Sequence, residues 1–216
     1  MKSVLIIVAH PDDAEISMGM RIHWYVQNGA RVRVHCLTTG KPEEGGSQSR
    51  RNECLNAGAV LMVDQYTFSE IPDTRFVEHR GMINSELFRV IREACPDIVY
   101  THYPDDQHID HSITGQEVTA VAMREVMELC YFRSPYSTGF DPNMFFIGTE
   151  KLMNVKVRAL ESFTSQQQLD MKVFCQLGAV AYRQHVHHRV VERFGDDSAY
   201  CEMFRIQRSI EFGSGE

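Results

Sequence analysis

The chain has 216 residues, of which 43% are hydrophobic and 24% charged, which is typical of a single globular domain over residues 1–216. The formal net charge of −7 argues against nucleic acid as a partner, because binding phosphates requires clustered Lys and Arg. No apolar stretch approaches the roughly 20 residues that a membrane span needs, so we expect no membrane partner. The six cysteines show no C-x-x-C spacing and favour reduced, buried thiols and a cytoplasmic location.

Taken in chain order, the apolar pattern alternates strands with helices. A continuous apolar run at the start predicts a strand that is buried on both faces. Predicted strands cover 4–9, 31–39, 66–68, 97–101 and 145–147. Predicted helices cover 15–28, 49–61, 78–94 and 112–131, and the chain from 153 onward is predicted to be mostly helical. Residues 41–48 carry no apolar side chain and predict an exposed loop.

This alternation predicts an α/β fold, a Rossmann-like layered arrangement with a mostly parallel sheet flanked by helices. Active sites in such sheets lie beyond the carboxyl ends of the strands. The two most polar, histidine-rich segments directly follow strands 4–9 and 97–101. We therefore expect both segments at the same edge of the sheet.

The two polar segments combine imidazole with carboxylate. The first is His10-Pro11-Asp12-Asp13, and the second runs from His102 to His111 and ends in His108-Ile109-Asp110-His111. A divalent metal of intermediate softness prefers this mixture of ligands, with one position left for water. The pair of segments therefore predicts a metal site.

The A-H-P-D-D and H-x-D-H motifs, each after its own strand, resemble those of the PIG-L/LmbE family of zinc N-deacetylases. The resemblance implies removal of an acetyl group from the nitrogen of a small N-acylated sugar such as an N-acetylglucosamine derivative. It implies that the metal ligands are His10, Asp13 and His111. Zn²⁺ is the expected cofactor, and Fe²⁺ and Co²⁺ fit the same ligand set. The resemblance also implies self-association into a homo-oligomer.

The resemblance implies further roles. Asp12 is expected to act as the general base, because a metal lowers the pKa of water and a neighbouring carboxylate can then take its proton. His108 is expected to stabilise the oxyanion, best as an imidazolium, and Asp110 to hold a histidine in its working tautomer. Arg51 is expected to contact the substrate through its planar donors.

Alternatives remain open at each of these positions. His10 and Asp13, or Asp12 itself, could cap the following helix. His108 could be the ligand and His111 the helper. Arg51 could be a solvated surface residue, and Arg50 competes for its role. The role of a second histidine cluster stays open; it consists of His185, His187 and His188.

The substrate is the least determined feature. Many family members carry a small-Gly-Gly ending to the first motif, where this chain has Ser17-Met18-Gly19-Met20, and alanines where it has Cys201 and Met203. These bulkier residues predict a reshaped C-terminal segment.

Other functions remain open beside deacetylation. Another small N-acyl group such as formyl fits the same chemistry. Two histidines and a carboxylate also suit a non-haem iron oxygenase, although such reactions usually occur in all-β barrels. A metal-binding protein without catalysis needs no carboxylate such as Asp12.

Overall fold

A mixed sheet flanked by helices forms the frame of the molecule, as seen in a computed structural model that describes residues 1–40, 47–166, 169–194 and 198–213. The strands are β1 Ser3–Val8, β2 Arg31–Cys36, β3 Gln65–Phe68, β4 Ile98–His102, β5 Glu128–Phe132, β6 Met144–Thr149 and β7 Ser198–Arg208. The helices are α1 Asp13–Gln27, α2 Ser47–Leu61, α3 Arg80–Ala94, α4 Ile109–Glu125, α5 Glu150–Leu160, α6 Met171–His185 and α7 His188–Phe194.

The strand order is β3-β2-β1-β4-β5-β7-β6. Strands β1 to β5 pair in parallel, and β7 pairs antiparallel with both β5 and β6. From β1 the chain adds β2 and β3 on one side and then β4 and β5 on the other, so the direction of strand addition changes between β1 and β4. The loops that follow β1 and β4 therefore leave the sheet side by side. The predicted α/β fold with a mostly parallel sheet is therefore confirmed, and the two motif segments share one edge as expected.

Each face of the sheet carries its own apolar core. On one face, residues of alternate strand positions such as Ile6 and Val34 pack with α1, α2 and α5. On the other face, Leu5, Ile7 and Val99 pack with α3 and α4. Because the inner strands are buried on both sides, their sequences are continuous apolar runs.

One prediction from the C-terminal half was wrong. Residues 112–131 do not form one helix: α4 ends at Glu125 and β5 begins at Glu128. In β5, Leu129 to Phe132 are all buried, a run that fits a strand buried on both faces. The chain from 153 onward, predicted to be mostly helical, contains α5, α6 and α7 but also β7, the longest strand in the described residues.

Helix α6 is only loosely packed on the rest of the molecule. Its apolar residues Val173, Leu177 and Val180 are 43%, 54% and 46% exposed. The face that packs against the body is formed by the small residues Gly178 and Ala181. The predicted loop 41–48 falls mostly outside the described residues, and its last two positions belong to α2. Among the helices described, none is long and apolar enough to cross a bilayer.

Candidate metal centre

The first motif forms a tight turn between β1 and α1. Asp12 adopts a left-handed backbone (φ 92°), a conformation that Asp and Asn tolerate better than most residues. The backbone N–H of His10 donates to Oδ2 of Asp13 at 2.7 Å, which ties the two ends of the turn together. Asp12 stands at the N-cap position of α1, but its side chain makes no capping hydrogen bond. The carboxylate of Asp12 is therefore not used for helix capping.

The second motif opens α4 beside the end of β4. The backbone N–H of His108 donates to Oδ1 of Asp106 at 2.9 Å, which fixes the entry to the helix. Gly115 allows α4 to approach the end of β4 closely, because a Cβ there would lie 2.7 Å from the carbonyl oxygen of His102. The first turn of α4 thus carries Asp110 and His111 towards the turn that follows β1.

Donor atoms from the two motifs meet at this edge. Nδ1 of His10 lies 3.2 Å from Nε2 of His111 and 3.5 Å from Oδ2 of Asp13. Oδ1 of Asp13 lies 3.3 Å from Nε2 of His111. All three side chains are largely buried, with exposed fractions of 12%, 9% and 4% for His10, Asp13 and His111.

These separations fit a shared metal ion. Ligand bonds of about 2.0–2.1 Å in a tetrahedron put neighbouring donors roughly 3.3 Å apart. Two imidazole nitrogens and one carboxylate oxygen are a common set for Zn²⁺, and a three-residue set leaves a fourth position open. The residues present therefore fit the metal that the sequence implies.

The cluster offers more donors than one ion needs. Three overlapping groups each gather their donor atoms within 4.8 Å. They are His10 with His108 and His111, Asp13 with His102 and His111, and His10 with Asp73 and Asp110. Of the predicted ligands, His10 belongs to the first and third groups, Asp13 to the second, and His111 to the first and second. The alternative in which His108 is a ligand and His111 the helper also keeps its geometric basis.

Two carboxylates hold the outer nitrogen of His10. Oδ2 of Asp110 and Oδ1 of Asp73 each lie 3.4 Å from Nε2 of His10. Oδ2 of Asp110 also accepts a hydrogen bond from the backbone N–H of Thr74 at 2.7 Å. Burial lowers the pKa of His10, but hydrogen bonds to Asp110, Asp13 and Asp73 outweigh it and raise the pKa well above 6.5. Asp110 thus contacts His10 of the first motif.

His102 and Asp106 complete the walls of the site. Nε2 of His102 accepts a hydrogen bond from the backbone N–H of Ala9 at 3.1 Å and lies 3.2 Å from Oδ2 of Asp13. Burial and then the charge of His111 lower the pKa of His102 to about 4, so its ring stays neutral. Oδ1 of Asp106 lies 3.4 Å from Nδ1 of His111.

Asp12 is a buried carboxyl beside the donor cluster, only 7% exposed. Burial and then the neighbouring charge of Asp13 raise its pKa well above its usual range, while Arg50 and His10 oppose the shift. Burial also raises the pKa of Asp13, but the charges of His111 and His102 outweigh it and lower that pKa. The two adjacent carboxyls therefore differ in proton affinity.

The structure separates Arg50 from Arg51. Arg50 is 5% exposed, and its Nη2 lies 3.4 Å from the carbonyl oxygen of Pro11. Arg51 is half-buried further out, where it pairs with Glu70 and lies over the ring of Phe68 at 5.0 Å. Of the two arginines, Arg50 is thus the one beside Asp12, and substrate contact by Arg51 stays a prediction.

His108 stands next to the donor rings, with its ring centroid 4.7 Å from that of His10 and 4.4 Å from that of His111. Burial and the charges of His10 and His111 lower its pKa, which works against the imidazolium form. The other histidine cluster lies elsewhere: His185 stacks on Phe145, and the rings of His187 and His188 contact each other.

Asp73 is the residue that sequence reasoning missed. It follows Pro72 in the segment between β3 and α3, where Thr74 has a positive φ of 64°. Its position after the carboxyl end of a third parallel strand was the available signal.

The deciding observation for the chain as a whole is a family match: the model for PIG-L, described as GlcNAc-PI de-N-acetylase, covers residues 5–122. The chain belongs to the PIG-L family.

Similar proteins extend this result beyond the matched segment. The chain is 29% identical over 170 residues to a protein of Escherichia coli K12 named uncharacterized deacetylase YaiS, covering 76% of this chain and 91% of that protein. It is 27% identical over 191 residues to the diacetylchitobiose deacetylase of Thermococcus kodakarensis, covering 77% of this chain and 70% of that enzyme. The crystal structure of GalB, a 4-carboxy-2-hydroxymuconate hydratase of Pseudomonas putida, shares the fold with a TM-score of 0.81 at 18% identity, covering 100% of both chains.

Proposed function

We propose that this protein of the PIG-L family is a metal-dependent amide hydrolase that removes an acetyl group from an N-acetylglucosamine-type sugar or glycoside. The observation that carries the proposal is the convergence of His10, Asp13 and His111 at metal-ligand separations, with the buried carboxyl of Asp12 next to a ligand. The similarity to a diacetylchitobiose deacetylase supports the same substrate class.

The proposed ligand set favours Zn²⁺. His10, Asp13 and His111 would hold Zn²⁺, with Fe²⁺ or Co²⁺ as alternatives for the same donors. A bound Zn²⁺ supplies Lewis acidity, which polarises the amide carbonyl and lowers the pKa of water towards 7. Asp110 and Asp73 accept from Nε2 of His10 and so orient its ring, and Nδ1 would then be the nitrogen that holds the metal.

Asp12 moves the proton. Its carboxylate takes a proton from the attacking water and passes it to the departing amine nitrogen, which is general base and then general acid catalysis by one group. A raised pKa favours both halves of this task, because the group must accept a proton and release it near neutral pH. His108 donates a hydrogen bond to the oxygen that gains negative charge.

Arginine near the turn provides the contact to the sugar. Arg51 was the predicted residue, and to contact a sugar hydroxyl its guanidinium would have to share or leave its ion pair with Glu70. Arg50 is the inner arginine and sits closest to the turn of the first motif. Arg50→Lys and Arg51→Lys test which arginine binds the substrate, because Lys keeps the charge and lacks the planar guanidinium. The substitution at the residue that binds substrate is expected to raise KM.

The reaction class is tested by measuring acetate and primary amine together. Substrates are N-acetylglucosamine, its methyl glycoside and N,N′-diacetylchitobiose, and an N-formyl analogue tests the acyl group. We expect one acetate and one amine per turnover with Zn²⁺. Because a GalB-like fold also serves a hydratase, absence of amine release from all of these with metal bound would reject the amide hydrolase.

A further inference from the structure

A cavity lies beside the metal centre, and the proposed reaction does not use it. Its volume is about 250 Å³. Helices α1, α5 and α6, strand β7 and the segment after β5 form its walls. Most of its lining is apolar and includes Ile16, Met153, Phe174, Leu177 and Met203.

Two walls of the cavity continue into the metal centre. Ile16 and Ser17 on α1 line the cavity, and Ser17 comes four residues after Asp13, about 6 Å along the helix axis. On the other side Ser134 lines the cavity, and its hydroxyl donates to Oδ2 of Asp106, whose Oδ1 faces His111. The cavity therefore lies next to the metal centre.

Two of the charged groups in the cavity pair with each other. Nζ of Lys156 lies 2.8 Å from Oε1 of Glu202, and both side chains are buried. Glu202 also accepts from the backbone N–H groups of Met20 and Arg21, next to the irregular turn of α1 at Met18. These carboxylate contacts hold the helix in place and neutralise the buried part of the lining, while Arg133 adds a solvent-exposed positive charge to it.

One polar atom in the wall is unused. The hydroxyl oxygen of Ser17 is buried and makes no hydrogen bond among the residues that the structure describes. An unpaired buried hydroxyl costs free energy. At the mouth, Leu177 and Val180 leave apolar surface exposed to solvent. The cavity therefore suits an apolar group.

We propose that the cavity is a subsite for an apolar aglycone, an aryl or short alkyl group linked to the amine-bearing sugar; this rests on the proposed function. A cavity of about 150 Å³ holds benzene, so this larger one accommodates a phenyl or hexyl group. The occupant enters from the amine side of the amide, because an acetyl group at the metal has only one carbon beyond its carbonyl. Such a carbon does not reach a cavity one helix turn away.

The test compares phenyl and methyl N-acetyl-β-D-glucosaminide as substrates of the zinc-loaded protein. We expect kcat/KM to be at least about tenfold higher for the phenyl glycoside, since its ring leaves water on binding. Leu177→Asp places a charge at the mouth and removes this preference. Val173→Asp is the matched control: Val173 is exposed on the same helix, four residues earlier, and does not line the cavity. It keeps the preference.

Equilibrium binding separates this proposal from the proposed function. Calorimetry of the metal-free protein with phenyl and methyl β-D-glucosaminide should show tighter binding of the phenyl compound, lost in Leu177→Asp and kept in Val173→Asp. If that pattern holds while no glycoside is hydrolysed, the subsite stands and the proposed reaction falls. Equal binding of both compounds overturns the subsite. Preference for N-hexanoylglucosamine over N-acetylglucosamine, with no advantage for phenyl, also overturns it and assigns the cavity to an acyl chain.

Discussion

At the residue scale, the first motif gives two adjacent aspartates different environments. Asp13 lies within 3.5 Å of three histidine rings, which lowers its pKa and favours a permanently ionised ligand. Asp12 points away from capping contacts and is buried, which raises its pKa. A single residue step along the chain thus separates the proposed ligand from the proposed proton acceptor.

Asp12→Asn is expected to keep the metal and lose turnover. Asn tolerates the left-handed backbone of position 12, so the turn and the ligands remain in place. Without a group that accepts a proton, kcat should fall by about 10²–10⁴. Metal content is measured by elemental analysis beside the rate of amine release. Asp141→Asn, at an exposed carboxylate, is the control and keeps full activity. Undiminished turnover in Asp12→Asn would remove the base assignment.

His35 predicts a pH dependence of stability away from the metal. Its ring is buried between the hydroxyls of Thr67 and Ser69, at 2.8 and 3.0 Å. Burial lowers its pKa from 6.5 to about 4, with Glu86 opposing the shift and Arg89 adding to it. Between pH 6.5 and 4 the unfolded chain therefore binds the extra proton, and stability falls as pH falls, by about 3 kcal/mol at this site.

The measurement is the free energy of unfolding in urea across this pH range. His35→Gln keeps a hydrogen-bonding side chain without the titration, so its stability should decline less between pH 6.5 and 4. The exposed His187→Gln is the control and should follow the wild type. Glu86, whose pKa is lowered to about 2 mainly by Arg89, acts below this window. Parallel curves for wild type and His35→Gln would contradict the assignment.

At the element scale, the close approach of α4 to β4 positions the second motif. Gly115→Ala would place a Cβ 2.7 Å from a backbone oxygen of His102 and 3.0 Å from backbone atoms of Pro104, so the helix must move. We expect a loss of about 1–3 kcal/mol in stability and weaker Zn²⁺ binding, because His111 moves with the helix. Thermal unfolding and zinc titration measure both effects.

Gly81 on α3 provides the matched comparison for that change. A Cβ at this position meets nothing within 4 Å. Gly81→Ala should therefore leave Zn²⁺ affinity unchanged and alter stability by no more than about 1 kcal/mol, in the stabilising direction. Equal effects of the two substitutions on zinc binding would show that the helix approach does not position the ligands.

Some elements and site residues could be predicted from the sequence, and others could not. The polar segments after strands 4–9 and 97–101 could be placed at one edge because parallel strands end together. The β5 strand was absorbed into a helix because Val126 to Phe132 continue an apolar series without a glycine or proline to mark the break. The position of Asp73 after the carboxyl end of β3 places it at the same edge, but its contact with His10 depends on the conformation of the intervening loop.

At the scale of the whole molecule, the metal should link two halves of the site. The ligands come from the turn after β1 and from α4, segments about 100 residues apart in the chain. An ion that binds the folded state at 1,000 times its Kd adds about 4 kcal/mol to stability. For a chain of this length, that corresponds to a Tm shift of about 10 °C.

Removing the metal is therefore expected to lower Tm by about that amount, and added Zn²⁺ should restore it. Differential scanning calorimetry with and without chelator measures the shift. His111→Ala should unfold at the same temperature in both conditions because it lacks a ligand, whereas exposed His188→Ala should behave as wild type. A Tm that chelation leaves unchanged in the wild type would argue against a structural link through the ion.

The most direct test of the account is a titration of Zn²⁺ into metal-free protein while acetate release from N-acetylglucosamine glycosides is recorded. The account predicts no release without metal and a rate that rises to a plateau at one equivalent of Zn²⁺. Equal release by the metal-free protein, or stoichiometric zinc binding with no acetate formed from any glycoside, would contradict a metal-dependent deacetylase.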